Sequence, residues 1–338
     1  MRNPARRQAN RLERIEQAER HPAQPRPRTP WSQGVATTPE FRIHNDEPLA
    51  LGVRRVILEQ VVHATQIRDS DDLDTAVHDL RKAMKRTRAV LRLVRGELGD
   101  YRYRQENTAL RDTSRLWGPT RDAAVLAKVA AEFVAEFEMD GAAADRVVTV
   151  LRARAAAATR AGHQDRRRHL DTLTALGSFA CRVRRFPVEG PDSIANEWAA
   201  VQPGVTRVAK RAARRLRQAE QDPSVERLHA WRKDVKYLGY QLEVLRPLWK
   251  DLLGAIGDRL MEVGSILGDD HDLAVWEETL RADGSLVTDP AELTRLHDTI
   301  GVRRRRLQTE AFALGGTVLA EPKLLVEEVA AAWHQART

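Results

Sequence analysis

Two stretches of this 338-residue chain carry the same spacing of basic residues, and it is the spacing of a helix face. One is His78-Asp79-Leu80-Arg81-Lys82-Ala83-Met84-Lys85; the other, 151 residues on, is His229-Ala230-Trp231-Arg232-Lys233-Asp234-Val235-Lys236. In an α-helix, residues three and four apart return to one side. His78, Arg81, Lys82, Lys85 and Arg92 then share an arc of about 100°, with Arg88 at its edge. Leu80, Met84, Thr87, Leu91 and Val94 take the opposite side. In the second stretch His229, Arg232, Lys233, Lys236 and Tyr240 share an arc, opposite Trp231, Val235, Leu238 and Leu242. Each helix is expected to anchor by an apolar stripe and to present a cationic one.

A second pair of segments follows in the same order. Gly118-Pro119-Thr120-Arg121-Asp122-Ala123-Ala124-Val125 aligns with Gly268-Asp269-Asp270-His271-Asp272-Leu273-Ala274-Val275 at an offset of 150, and Arg154 and Arg304 share that offset. Two motifs in one order and separation are the mark of an internal duplication.

The rest of the chain agrees with an all-α fold. Apolar residues recur at helical spacing from about Pro48 onward, and no stretch sustains the alternation of a strand. Helices are expected from Asp71 or Asp72 through Arg95, stopping near Gly96 and Gly99, then over Tyr101–Trp117, Arg121–Phe137 and Ala142–Arg185, the last broken at Gly162 or Gly177. Phe186–Gly204, with Pro187, Pro191 and Pro203, reads as a linker. Beyond it come Val205–Glu220, Ser224–Leu245, Leu248–Leu267, Leu273–Ala282, Pro290–Leu314 and Pro322–Arg337. The expected organisation is a disordered Arg/Pro-rich tail over 1–47, then one domain over 48–338. Its halves are 48–186 and 205–338, joined by the linker 187–204. Hydrophobic residues at 42% supply a core, and aromatics at 5% favour Leu/Ala/Val helix packing. Cys181 is the single cysteine, which excludes an internal disulfide and a zinc-type cysteine cluster and suits the cytoplasm. No apolar run is long enough to span a bilayer, so a membrane is not an expected partner.

Like charges at three- and four-residue spacing repel by a few tenths of a kcal/mol per pair, and a solvated face normally intersperses acids to offset this. These stripes hold none: Asp79 and Asp234 point elsewhere. Either an anionic ligand or an internal acidic counter-surface satisfies such a stripe. The net charge of +8 favours an acidic partner without naming it. Arg207, Lys210 and Arg214, with Arg211 and Arg215, repeat at helical spacing on the preceding helix and extend the candidate surface. Arg154 and Arg304 are nominated by the repeat. The tail, with eight arginines against three glutamates up to Arg28, adds weak salt-sensitive attraction to any polyanion.

On the two His-x-x-Arg-Lys-x-x-Lys helices and the two Gly-x-x-Arg/His-Asp segments, the chain resembles the CHAD family, the conserved-histidine α-helical domain, from about Pro48 to the C-terminus. The resemblance implies two four-helix bundles with approximate two-fold symmetry around a basic cavity. It also implies binding of inorganic polyphosphate and association with polyphosphate granules and their proteins. His78, Arg81, Lys82, Lys85, Arg86 and Arg88 match the first basic motif; His229, Arg232, Lys233, Lys236 and Tyr240 match the second. Tyr237 and Gly239 depart from it, standing where basic residues are usual, so the second face is expected to grip phosphate less strongly.

The chemistry suits the ligand. Arginine donates paired hydrogen bonds to phosphate, and lysine supplies an adjustable point charge. Histidine adds a pH-dependent donor, so binding is expected to strengthen as pH falls through about 6.5. Asp122 and Asp272 are expected to cap helices or to pair with a local arginine, since acids near helix starts commonly satisfy free N–H groups. No cofactor or metal is expected, and no enzymatic activity: neither a Walker-type phosphate loop nor a His-Glu-x-x-His helix occurs. Nucleic acid is the weaker ligand, since Tyr240 is the main aromatic on the cationic faces. A scaffold docking an acidic protein remains a further alternative.

Overall fold

The computed structural model describes residues 39–136 and 141–337, and among these the regular structure is helical. The tail expected over 1–47 lies outside the described residues up to Thr38. From Pro39 on the chain is packed: Phe41 and Ile43 are 4% and 1% exposed, and the Ile43 N–H donates to the Val244 carbonyl at 2.9 Å. Two apolar side chains in alternation place this segment on the core, which moves the start of the folded part ahead of Pro48.

The helices are α1 (Leu49–Thr65), α2 (Leu73–Leu93), α3 (Arg95–Arg115), α4 (Gly118–Glu136), α5 (Gly141–Gln164), α6 (Arg166–Arg184), α7 (Trp198–Gln221), α8 (Val225–Leu245), α9 (Lys250–Ala282), α10 (Pro290–Leu319) and α11 (Pro322–Ala336). Short 3-10 turns at Gln66–Arg68 and Arg246–Leu248 link α1 to α2 and α8 to α9. Side-chain caps explain several starts. Asp72 accepts from the Thr75 N–H at 3.1 Å to open α2, and Asp165 accepts from Arg168 N–H at 2.9 Å to open α6. Asp289 accepts from Ala291 N–H at 2.9 Å ahead of Pro290 at the start of α10. Such caps satisfy N–H groups that the first turn leaves free.

The core forms as the periodicity requires. Leu80, Met84, Thr87 and Leu91 of α2, and Trp231, Val235, Leu238 and Leu242 of α8, are fully buried. α8 packs against α7, α9 and α2; α9 packs in turn against α10 and α4. The two helices bearing the basic motifs are thereby in contact, and so are the two bearing the Gly-x-x-Arg/His-Asp segments.

Several boundaries differ from expectation. The segment 198–204, assigned to the linker, is the first part of α7, with Pro203 inside the helix. A mid-helix proline costs about 3 kcal/mol. Val201 and Val205 are fully buried, with Trp198 8% exposed, and at about 1.5–3 kcal/mol per buried side chain they offset it. The long stretch after Gly141 breaks at neither Gly162 nor Gly177 but at the Asp165 cap. α3 takes in residues from Arg95, with a backbone break at Gly99, whose φ of 72° is open to glycine. The separate helices expected around Leu248–Leu267 and Leu273–Ala282 are one, α9.

Candidate functional site

α2 and α8 turn their apolar stripes into the core, so the opposite faces project towards α4 and α9. Four elements contribute side chains: His78, Arg81, Lys82 and Lys85 from α2; Arg121 and Asp122 from α4; His229, Arg232, Lys233 and Lys236 from α8; Asp269, His271 and Asp272 from α9. Their mutual influence shows how closely they gather. Burial, followed by Arg232, Arg81, Lys236 and Arg121, pushes the Lys85 ammonium down to about 8. Burial, then Arg232, pushes Lys236 down to about 8 despite the opposing pull of Asp269. Lys85 still reaches solvent, so its charge is crowded by protein without being sealed from water.

The cations find few partners. Arg81 donates through Nη1 to the Ser114 carbonyl at 3.0 Å, Arg232 through Nε to the Gly264 carbonyl at 3.3 Å, and Lys236 through Nζ to the Met261 carbonyl at 3.4 Å. Two glycines of α9 make room for the last two. A Cβ on Gly264 would lie 2.7 Å from Lys236 Cε, and one on Gly268 would lie 2.9 Å from Arg232 Nη2. The motif arginine and lysine of α8 thus lie along a side-chain-free strip of α9.

His229 and His271 face one another, ring centroids 4.6 Å apart and planes tilted by 34°. The Nδ1 atom of each is buried without a hydrogen-bond partner. Burial, then His271 and the neighbouring cations, lowers His229 to about 4. His78 is lowered by burial and Arg121, and His271 by burial and Arg232. All three are therefore neutral in the free protein near pH 7. The acids respond in the opposite sense: burial raises Asp269, helped by Asp272, and raises Asp272 against the pull of Arg232. Among the described residues, no group of three or more His, Cys, Asp and Glu is arranged to hold a metal ion.

The CHAD domain family matches residues 55–281, more than half of the chain. The chain belongs to the CHAD family. The crystal structure of the CHAD domain from the plant Ricinus communis superposes with a TM-score of 0.54 at 16% identity. The match covers 89% of this chain and 97% of the plant one. No curated protein matches.

In this CHAD chain the expected residues divide. His78, Arg81, Lys82, Lys85, His229, Arg232, Lys233 and Lys236 converge. Arg86 and Tyr240 do not: Arg86 donates to Glu243 at 2.6 Å and lies over the Phe41 ring at 4.9 Å, while Tyr240 is 5% exposed and edge-on to Phe41. Burial also raises the Tyr240 phenol, and through Phe41 both residues hold the segment before α1. Arg88 donates through Nε to Asn107 at 3.0 Å and sits over Tyr237, whose ring Arg92 also covers at 3.9 Å. Arg154 pairs with Asp283 at 2.6 Å, and Arg304, 15% exposed, pairs with Asp270 at 3.1 Å and Glu277 at 3.2 Å. The repeat relates these two arginines by position, but each is neutralised locally. Arg207, Lys210 and Arg214 are exposed on α7; among the described residues no hydrogen bond or ion pair ties them to the cluster.

Asp122 and Asp272 lie inside helices and not at their entrances, and among the described residues neither is ion-paired with an arginine. Asp270 of the same acidic run is 1% exposed and accepts from Arg304 and Gln308, so the run is accommodated by partners rather than by a helix end. Arg121, His271, Gly264 and Gly268 were missing from the expected site. For three of them the signal was present, because Arg121, Gly268 and His271 belong to the second repeated motif.

Proposed function

We propose that this cluster binds inorganic polyphosphate, as the lining of a basic cavity between α2, α4, α8 and α9, and that the protein associates with polyphosphate granules in the cytoplasm. One observation carries the reading. Among the described residues, none of Arg81, Lys82, Lys85, Arg121, Arg232, Lys233 and Lys236 has a carboxylate within ion-pair distance. Arg86, Arg182, Arg211 and Arg304, elsewhere in the same fold, all do. The nearby Asp122, Asp269 and Asp272 soften the repulsion without pairing these cations, so an internal counter-surface answers only part of it. Two lysines pushed down to about 8 mark a site short of negative charge.

A flexible chain of phosphates supplies that charge along its whole length and needs no stacking platform. Nucleic acid fits less well: the Tyr237 ring is covered by Arg92 and Tyr240 is buried, so neither offers a free face to a base. Binding, not turnover, is the proposed activity, and release of phosphate from polyphosphate with a divalent metal present would overturn that.

The test is titration of polyphosphate into wild type and into a variant carrying Arg81→Glu, Lys82→Glu, Arg232→Glu and Lys233→Glu. Duplex DNA serves as competitor at matched salt. Wild type should bind with a log–log salt slope near about −4 if roughly six phosphates are neutralised. The variant, helical by circular dichroism, should lose most affinity. Retained affinity in a folded variant, or preference for DNA, would reject the assignment.

A further inference from the structure

Beside the cluster, a recess of about 510 Å³ opens where α2 meets α4 and α5. Its walls include Asp74 of α2, Ala124 and Ala127 of α4, and Arg152, Thr159 and Arg160 of α5. Helical spacing sets it about one turn from the site. Asp74 is one turn before His78 on α2, and Ala124 is one turn after Arg121 on α4, so each wall follows the same face outward from a cluster residue.

Three features suit this recess to an anion. Arg152 and Arg160 are exposed, and among the described residues neither has an ion-pair or hydrogen-bond partner, whereas nearby Arg154 is tied to Asp283 at 2.6 Å. Asp74, the carboxylate of the recess, is turned to local use by accepting from the Thr159 hydroxyl at 2.8 Å. The floor is small: Ala127 stands where the position 150 residues on is Glu277, half-buried and ion-paired with Arg304 at 3.2 Å. The second half therefore fills with its own ion pairs the place that the first half leaves open and cationic.

We propose that the recess is a second binding site for the same ligand, the path by which a polyphosphate chain held in the cluster continues outward, over the alanine floor, to Arg152 and Arg160. This rests on the polyphosphate reading above. Two turns of helix separate the arginines, about 12 Å along the axis, so they contact different phosphates of one chain. Because guanidinium groups grip phosphate oxygens in pairs, two exposed arginines hold a passing chain without enclosing it. A short oligophosphate that ends within the cluster does not reach them, and a long chain does.

That difference is the test. Full-length wild type, Arg152→Glu/Arg160→Glu and a charge-matched control, Arg166→Glu/Arg167→Glu on the exposed start of α6, are each titrated with tripolyphosphate and with long-chain polyphosphate. The recess variant should lose about tenfold in long-chain affinity, with a salt slope shallower by about 1.4 for two lost phosphate contacts. Its tripolyphosphate affinity should stay within about twofold of wild type, as should the control's affinity for both ligands. Unchanged long-chain binding, an equal loss for both ligands, or an equal loss in the control would overturn the proposal. Wild type binding neither ligand would instead overturn the polyphosphate reading, and the path with it.

Discussion

Lys85 and Lys236 should set the pH dependence of the proposed binding more than the histidines do. Both ammonium groups are pushed down to about 8 from the ordinary lysine value of 10.5, so the free protein begins to discharge them just above neutrality. A bound polyanion favours their charged forms and raises them again. Binding therefore takes up protons between the two values, and affinity should fall as pH rises through 8 towards 10. His229, lowered to about 4, and His78 and His271, lowered by burial, are uncharged near pH 7. The histidine-driven gain expected through pH 6.5 should accordingly come at lower pH, extending towards 4. Isothermal titration calorimetry in buffers of different ionisation enthalpy at pH 8.5 should show net proton uptake by wild type and little by Lys85→Met/Lys236→Met; equal uptake in both would remove the lysines from the linkage. Stability should change with pH in the opposite direction to affinity. The unfolded state holds more protons between about pH 8 and 10.5, so wild type should gain stability relative to the double variant as pH rises through that window.

At the scale of the helix, the periodic pattern told where the basic residues point but not what they lean on. The arcs of α2 and α8 hold for the His-x-x-Arg-Lys-x-x-Lys residues, because an amphipathic helix settles its orientation by burying one stripe, and that stripe is written in Leu80, Met84, Trp231 and Leu238. The two repeated motifs likewise identified the helices that meet. Arg86, outside the first arc, and Tyr240, within the second, turn instead to Phe41, in a segment whose packing no periodicity announced. Gly264 escaped because its use is steric and depends on α9 running close along α8. Gly264→Ala should keep the helix, since alanine is the better helix former, yet its Cβ would displace the Lys236 side chain. Polyphosphate affinity should drop several-fold while circular dichroism stays unchanged, and Gly316→Ala, where a Cβ meets nothing within 4 Å, should leave binding alone. Equal affinities in the two variants would show that the position of Lys236 does not matter.

For the whole molecule, the cluster works against folding, and the proposed ligand would relieve it. Folding brings α2, α4, α8 and α9 together, and with them a set of cations that no carboxylate among the described residues pairs. The fold was legible because helical periodicity and a duplicated motif constrain it strongly; the distribution of ion pairs was not, since Arg154 and Arg304 occupy matching positions but are neutralised by acids from different elements. If unpaired cations destabilise the free protein, added salt should stabilise it by screening them, even as it weakens ligand binding. Thermal unfolding of wild type should then shift upward by a few degrees between low and moderate salt, roughly the shift that about 1 kcal/mol produces in a protein of this size. Saturating polyphosphate should raise the midpoint further at low salt, by about 2.7 kcal/mol of linkage at a hundredfold excess over Kd, and the increment should shrink as salt rises. Lys85→Met/Lys236→Met separates the cluster from the remaining surface charge. It should unfold at a higher temperature than wild type at low salt, respond less to added salt, and gain little from polyphosphate. A variant that is less stable than wild type at low salt, or as salt-sensitive, would mean that these lysines are not the source of the strain and that its cause lies elsewhere on the basic surface.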